Sequence, residues 1–242
     1  MMHMFLERPQ LTDLVRTRQI YIVPSLNPDG SEWDIHTGQY LWWRKNTQPP
    51  NGTDQNRNYD YRWGCCGGSS GDQYDETYRG PNAFSTPEDT AMQTFMLAHP
   101  NITTGISFHS NAELILYPYG YTYNNLPPDM TQHDLDTFRA MGQRMQATVG
   151  YPAVQSSDLY ITDGDWNDWM YGRLGKFPFT IELGGSSFYP GPTLIPIESE
   201  RVRRAVIFVA QVADCPPKVA HIDVCTAHTP QHGQNDRVLP DR

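Results

Sequence analysis

The chain has 242 residues, with 18 Lys and Arg against 27 Asp and Glu, for a formal net charge of −9. That length suits one sizeable α/β domain with a full core, and 38% hydrophobic with 12% aromatic content excludes a disordered chain. The acidic balance argues against nucleic acid as a partner, and no apolar run approaches the roughly 20 residues that cross a bilayer.

Residues 2–7 read as the tail of a helix, and the opening Met-Met-His-Met-Phe-Leu lacks the long apolar stretch of an export signal. Gln19–Val23 is a compact β-branched run that predicts a buried strand, stopped by Pro24. Asn27-Pro-Asp-Gly30 joins two turn dipeptides and predicts a tight turn at the strand's end. Residues 31–82 are polar and aromatic, with little periodicity. A loop this long in a compact domain is functional or disordered. Trp33, Tyr40, Trp42, Trp43, Tyr59, Tyr61 and Trp63 argue against disorder.

Two basic groups stand out in that loop, Arg44-Lys45-Asn46 and Asn56-Arg57. Arginine clamps a carboxylate through two parallel hydrogen bonds, and a neighbouring Asn adds a third donor. Either group alone also fits a surface arginine that pins a loop. Gly64, Gly67, Gly68 and Gly71 lack the Lys-Ser/Thr pair and the preceding strand that a phosphate loop needs. None of the four cysteines has zinc-ribbon spacing. Cys215 and Cys225 fit a small disulfide loop in an exported protein. Cys65 and Cys66 are not expected to bond to each other, because a bridge between adjacent residues strains the backbone.

Ser85-Thr-Pro-Glu88 has capping-box spacing with Pro87 near the first helical position. It predicts a helix from Pro87 to His99 that buries Ala91, Met92, Phe95 and Met96. A short apolar strand follows, ending at His109, and a second runs from Leu114 to Tyr117. A histidine at the end of a buried strand can offer its imidazole to a cleft, although a lone one is more often a satisfied core residue. Helix followed by strand is the α/β pattern. Leu135, Phe138, Met141, Met145 and Val149 recur at helical spacing over residues 131–149. Residues 156–172 turn polar and aromatic again. Pro178–Leu183 predicts a buried strand with Glu182 near its end, and a carboxylate there is costly unless paired or at work. The last helix runs from Pro196 to Ala213, giving a domain over 1–213. The polar extension over 214–242 carries His221, His228 and His232, read as solvated.

These pieces form an ordered set: Asn27-Pro-Asp-Gly30, Trp43-Arg44-Lys45, Asn56-Arg57-Asn58-Tyr59, Tyr78-Arg-Gly-Pro, Ser107-Phe-His109-Ser110, Tyr117-Pro-Tyr-Gly-Tyr121, Asp168-Trp169-Met-Tyr171 and Phe179-Thr-Ile-Glu182-Leu. In this order the chain resembles the zinc carboxypeptidases of the carboxypeptidase A type over roughly residues 10–213. Trp63-Gly-Cys-Cys-Gly-Gly-Ser-Ser-Gly71 is most similar to microbial members such as the carboxypeptidase T group. The resemblance implies a mixed, mainly parallel twisted sheet flanked by helices, here lacking its N-terminal strands. It implies an extracellular, monomeric metallocarboxypeptidase that uses Zn2+ to hydrolyse the C-terminal peptide bond of peptides or proteins, with neither nucleic acid nor membrane as partner.

It also implies roles. His109 matches the third zinc ligand, and Glu182 the general base that takes a proton from the attacking water and passes it to the leaving amine. Arg44 matches the group that polarises the scissile carbonyl. Asn56 and Arg57 match the clamp for the substrate's free carboxylate, and Tyr160 the tyrosine that closes over it. Gly120, Thr162, Asp165, Asn167 and Thr180 match the side-chain pocket. Asn167 stands where relatives place an apolar residue or an Asp, and Asp165 can add negative charge, so mixed and basic preferences both stay open, with a lean to mixed. One departure matters. The family's first two zinc ligands come from a His-x-x-Glu motif upstream, and none occurs in the 26 residues before Asn27. His3 is no substitute. The expectation is therefore part of a carboxypeptidase with an incomplete zinc site, which folds poorly alone. The alternative is a catalytically inactive binder of peptide C-termini, against which Glu182 and Arg44 weigh. A hydrolase of small acylamino acids is a further alternative.

Overall fold

A computed structural model of the chain describes residues 9–185, 187–189 and 191–225. Residues 2–7, His3, His228, His232 and most of the polar extension lie outside these residues.

Four strands form one sheet: β1 (Thr104–Ser110), β2 (Leu114–Tyr117), β3 (Ala153–Gln155) and β4 (Phe177–Leu183), in the order β1-β4-β2-β3. β1 runs parallel to β4 and β2 parallel to β3, while β2 and β4 are antiparallel, so the sheet is mixed and mostly parallel. Strand side chains alternate between faces. Ile106 and Phe108, Ile115 and Tyr117, and Phe177, Phe179 and Ile181 belong to one apolar core. The residues between them, Ser107, His109, Leu116, Thr180 and Glu182, fall on the other face. The alternation in Phe179-Thr-Ile-Glu182 thus separates core from site.

Helix α4 (Gln132–Val149) covers the core face. Its Leu135, Phe138, Met141, Met145 and Val149 are all buried, as the spacing predicts. Thr131 caps its start by accepting from the Asp134 N–H, and Gly150 ends it in the left-handed region at φ 91°. Helix α7 (Ile195–Val212) packs against α4 and buries Ala205, Phe208, Val209 and Ala210. The short helix Pro216–Ala220 also lies on α4, and Cys215 is bonded to Cys225.

Elsewhere the structure departs from the sequence reading. Helix α1 (Pro9–Thr17) comes first in the chain; Gln19–Val23 after it is not a strand, and Tyr21, Ile22 and Val23 are 42%, 41% and 52% exposed. A strand exists through its partner, and no described strand pairs with this segment. Asn27-Pro-Asp-Gly30 opens helix α2 (Pro28–Ile35) instead of making a free turn. The Asn27 side chain accepts from the Gly30 N–H at 3.1 Å, with Pro28 at the first helical position. Helix α3 (Pro87–Ala98) is capped by Thr86 and Asp89, one residue along from the expected pair. Ser85 accepts from Asn58 at 2.9 Å instead. On α3 Met96 is buried, Met92 and Phe95 are half-buried and Ala91 is exposed. Cys65 and Cys66 are bonded to each other, against expectation.

The long segment 31–82 is ordered by side chains that replace ladder hydrogen bonds. Asn58 donates to the carbonyls of Arg79 and Asn82 at 2.7 and 2.8 Å and accepts from the Thr86 N–H at 3.1 Å. Asp34 accepts from the Trp43 N–H at 2.7 Å. Among the described residues no helix is long and apolar enough to cross a membrane.

Candidate active site

The sheet register builds the centre of the site. His109 of β1 lies beside Glu182 of β4, and Ser107 beside Thr180. On the other side of β4, Leu114 and Leu116 face Glu182 and Thr180. The His109 imidazole meets Ser107 Oγ through Nε2 at 3.0 Å and turns Nδ1 towards Glu182 Oε1 at 3.8 Å. Burial and the Arg44 cation lower the His109 pKa to about 4, so the ring is neutral at physiological pH. Burial raises the Glu182 pKa to about 7, with Arg44 opposing it. A carboxylate that titrates near neutrality can both take and return a proton.

A cavity of about 180 Å³ opens over this face. Helix α5 (Ser156–Leu159), Tyr160 and helix α6 (Trp166–Gly172) form its far wall. Of the residues singled out in the sequence, Arg44, Asn56, His109, Tyr160, Asp165, Asn167 and Glu182 all line it, together with Thr162 and Thr180. Arg44 is paired with the buried carboxylate of Asp54 at 2.8 Å, which raises its pKa and holds it cationic. Asn56 accepts from the Trp166 N–H at 3.0 Å, which ties the Arg57 segment to the start of α6. Asn167 accepts from Thr180 at 3.2 Å and donates to the Leu116 carbonyl at 3.3 Å, fixing α6 over the sheet.

Asp165 caps α6, accepting from the Asp168 N–H at 2.8 Å and from the Thr162 hydroxyl. Burial raises its pKa, and burial together with the Asp165 charge raises that of Asp168 further. Asp168 accepts from the Gly120 N–H at 2.8 Å and the Tyr121 N–H at 3.0 Å.

Two residues sit differently from expectation. Arg57 is buried behind the wall. Its Nε donates to the Gly68 carbonyl at 2.7 Å, another N–H donates to the Asn56 carbonyl at 2.7 Å, and its guanidinium lies 5.9 Å from the Tyr160 ring centroid. Its charge still reaches the site, adding to the downward shift that burial and Arg44 cause at His109 and opposing the upward shift that burial causes at Asp165. Gly120 lies beneath the wall, where a Cβ would meet Asp165 Oδ2 at 2.8 Å and Thr162 Oγ1 closer still. Sequence reading missed Asn111, Ser156 and Phe188 as lining residues. Asn111 donates to the Gly185 carbonyl at 2.8 Å and Ser156 to the Tyr117 carbonyl at 3.0 Å. Proximity to His109 was a signal for Asn111, while the other two carried none.

Catalytic zinc takes three protein ligands and keeps one position open. Among the described residues no group of three His, Cys, Asp or Glu stands close enough to hold a metal ion. His109 offers one imidazole with its second nitrogen held by Ser107, so these residues alone do not make up the zinc set.

A family profile described as zinc carboxypeptidase matches residues 1–205. A zinc carboxypeptidase of Saccharothrix mutabilis subsp. capreolus is 40% identical over 222 residues, covering 87% of this chain and 51% of that protein. Carboxypeptidase A1 of Bos taurus is 30% identical over 202 residues, covering 79% and 48%. The crystal structure of thrombin activatable fibrinolysis inhibitor superposes with a TM-score of 0.72 at 27% identity, covering 86% of this chain and 54% of that one. The chain spans about half the length of the curated relatives it matches. The profile match over residues 1–205 shows that the chain belongs to the zinc carboxypeptidase family.

Proposed function

We propose that the chain supplies the substrate-binding wall and the proton-handling carboxylate of a metallocarboxypeptidase that hydrolyses the last peptide bond before a free C-terminus. One observation carries the reading: a single cavity joins Glu182, poised near neutrality, to the Arg44 cation, with Arg57 charged just behind the wall. Glu182 takes a proton from a water in the cavity and returns it to the leaving amine. Arg44 stabilises the oxyanion that forms at the scissile carbonyl. Asn56, with the Arg57 charge at its back, holds the terminal carboxylate, and Tyr160, exposed at the rim, closes over it. His109 serves as one metal donor.

The C-terminal side chain enters between Leu116, Asn167, Thr180 and Asp165. Both carboxylate oxygens of Asp165 already accept hydrogen bonds and its pKa is raised by burial, which favours a mixed preference over a strictly basic one. The disulfides Cys65–Cys66 and Cys215–Cys225 support an extracellular setting. Residues 1–213 then act as the catalytic part and 214–242 as an extension, anchored at its start by Cys215.

The test is hydrolysis of a peptide with a free C-terminus beside the same peptide blocked there. Release of the single terminal residue from the first alone is expected, and loss of that release in Glu182→Gln. Internal cleavage of both peptides would sink the reading. A second reading, a binder of peptide C-termini without turnover, is favoured by the cavity lining, which among the described residues offers one imidazole, that of His109. It predicts saturable binding of the free peptide and no product.

A further inference from the structure

The loop from Arg62 to Ser69 is attached to the cavity wall from behind. Cys65 and Cys66 are exposed and bonded to each other. The bond closes a small ring around their shared peptide group and so restricts the direction of the Cys66 N–H. That N–H donates to Asp163 Oδ2 at 3.0 Å. The Gly68 N–H donates to the same oxygen at 2.9 Å, the Gly64 N–H donates to Oδ1 at 3.2 Å, and the Ser69 hydroxyl also donates to Oδ1. Asp163 is fully buried, next to Thr162 and close to Asp165, both of which line the cavity.

A second link runs through Gly68. Its carbonyl accepts from Arg57 Nε at 2.7 Å, and its Cα lies so close to the other segment that a Cβ would meet the Asp163 nitrogen at 2.7 Å. The position of the wall and the seating of the arginine therefore both depend on backbone groups of the loop that the Cys65–Cys66 bond holds together. All four donors lie within residues 64–69, so a change in the path of that loop reaches Asp163 through several hydrogen bonds at once.

We propose that the Cys65–Cys66 bond is a redox-modification site, cut by a dithiol reductant, that sets how tightly the cavity holds its peptide. The proposal rests on the reading of the cavity as a C-terminus site. In the step, one thiolate of the dithiol attacks an exposed sulfur of the pair and breaks the S–S bond, forming a mixed disulfide. The second thiolate of the reagent then displaces the protein sulfur. Two electrons and two protons pass to Cys65 and Cys66, which become thiols, and the dithiol leaves as its cyclic disulfide. The freed Cys66 peptide then turns, Asp163 loses a donor, and the Thr162–Asp165 wall loosens. Passage from an oxidising to a reducing setting would lower affinity without any change in the lining residues.

The experiment titrates the full chain, prepared without reductant, with a peptide bearing a free C-terminus, before and after dithiothreitol. Backbone amide exchange is followed in parallel. Reduction should weaken binding about tenfold and speed exchange at Cys66, Gly68 and Thr162–Asp165. Cys215→Ala/Cys225→Ala should respond in the same way, which places the effect at the adjacent pair. Cys65→Ser/Cys66→Ser should bind weakly with or without the reagent. If that variant does not fold, the reagent arm on Cys215→Ala/Cys225→Ala decides, since the adjacent pair is its one described disulfide. Unchanged affinity and unchanged exchange, with both thiols shown free by alkylation, overturn the proposal. If the oxidised chain binds no peptide at all, the C-terminus reading fails, while exchange at Thr162–Asp165 still decides whether the bond controls the wall.

Discussion

Gly120→Ala probes the cavity wall with a single methyl group. An added Cβ would stand 2.8 Å from Asp165 Oδ2 and nearer still to Thr162 Oγ1, whereas ordinary contact begins at 3.4 Å. Neither neighbour yields easily, because Thr162 donates to Asp165, and Asp165 caps α6 through the Asp168 N–H at 2.8 Å. Forcing a methyl group into a packed site costs about 1–3 kcal/mol. Replacing glycine where its φ is ordinary returns about 0.4–1 kcal/mol through the unfolded chain. The net loss is then about 1–2 kcal/mol, a fall in Tm of roughly 2–8 °C for a chain of this size. Gly191→Ala is the control, since its φ is −60° and no described atom lies within 4 Å of the new Cβ. It should be neutral or slightly stabilising. Thermal unfolding reads the first effect, and titration with a free-C-terminal peptide reads the second, a weaker affinity in Gly120→Ala only. Equal behaviour of the two variants would refute the placement of Thr162 and Asp165 against Gly120.

Three further outcomes follow from the same structure. Phe138 is fully buried among Tyr117, Tyr171, Phe177 and Phe179, so Phe138→Ala should cost about 3–5 kcal/mol in denaturant unfolding. Thr86→Ala removes the cap of α3, which should cost about 1 kcal/mol, measured in the same way. Burial raises the Asp89 pKa from 3.8 to about 7, so the folded state holds the extra proton between those values. Stability should therefore fall as pH rises from about 4 to about 7, and Asp89→Asn should flatten that slope in unfolding measured across the window.

Local signals carried the elements whose stability is local. Five apolar residues at helical spacing specified α4, and each of the five is buried. The alternation in β4 placed Glu182 on a face away from Phe179 and Ile181. Gln19–Val23 had strand composition as well, but pairing is decided by a distant partner, which composition does not encode. The same limit applied to the site. His109 and Glu182 are far apart in the chain, and only sheet register sets them side by side. The ordered motifs located both residues, yet they gave no hint that Arg57 stands behind the wall, because its partners are backbone carbonyls that any residue supplies. The Cys65–Cys66 bond runs against the general rule about adjacent cysteines. The sequence alone did not reveal that Asp163 gathers that loop's N–H groups. Ser156 and Phe188 line the cavity through placements that residue type does not announce.

The most direct test of the account compares one peptide in two forms, with a free C-terminal carboxylate and with the same terminus amidated, titrated calorimetrically into the full chain. A cavity served by Arg44, Asn56 and the Arg57 charge should hold the free acid at least about tenfold more tightly than the amide. Equal affinity for both forms, or binding of the amide alone, would contradict recognition of a peptide C-terminus.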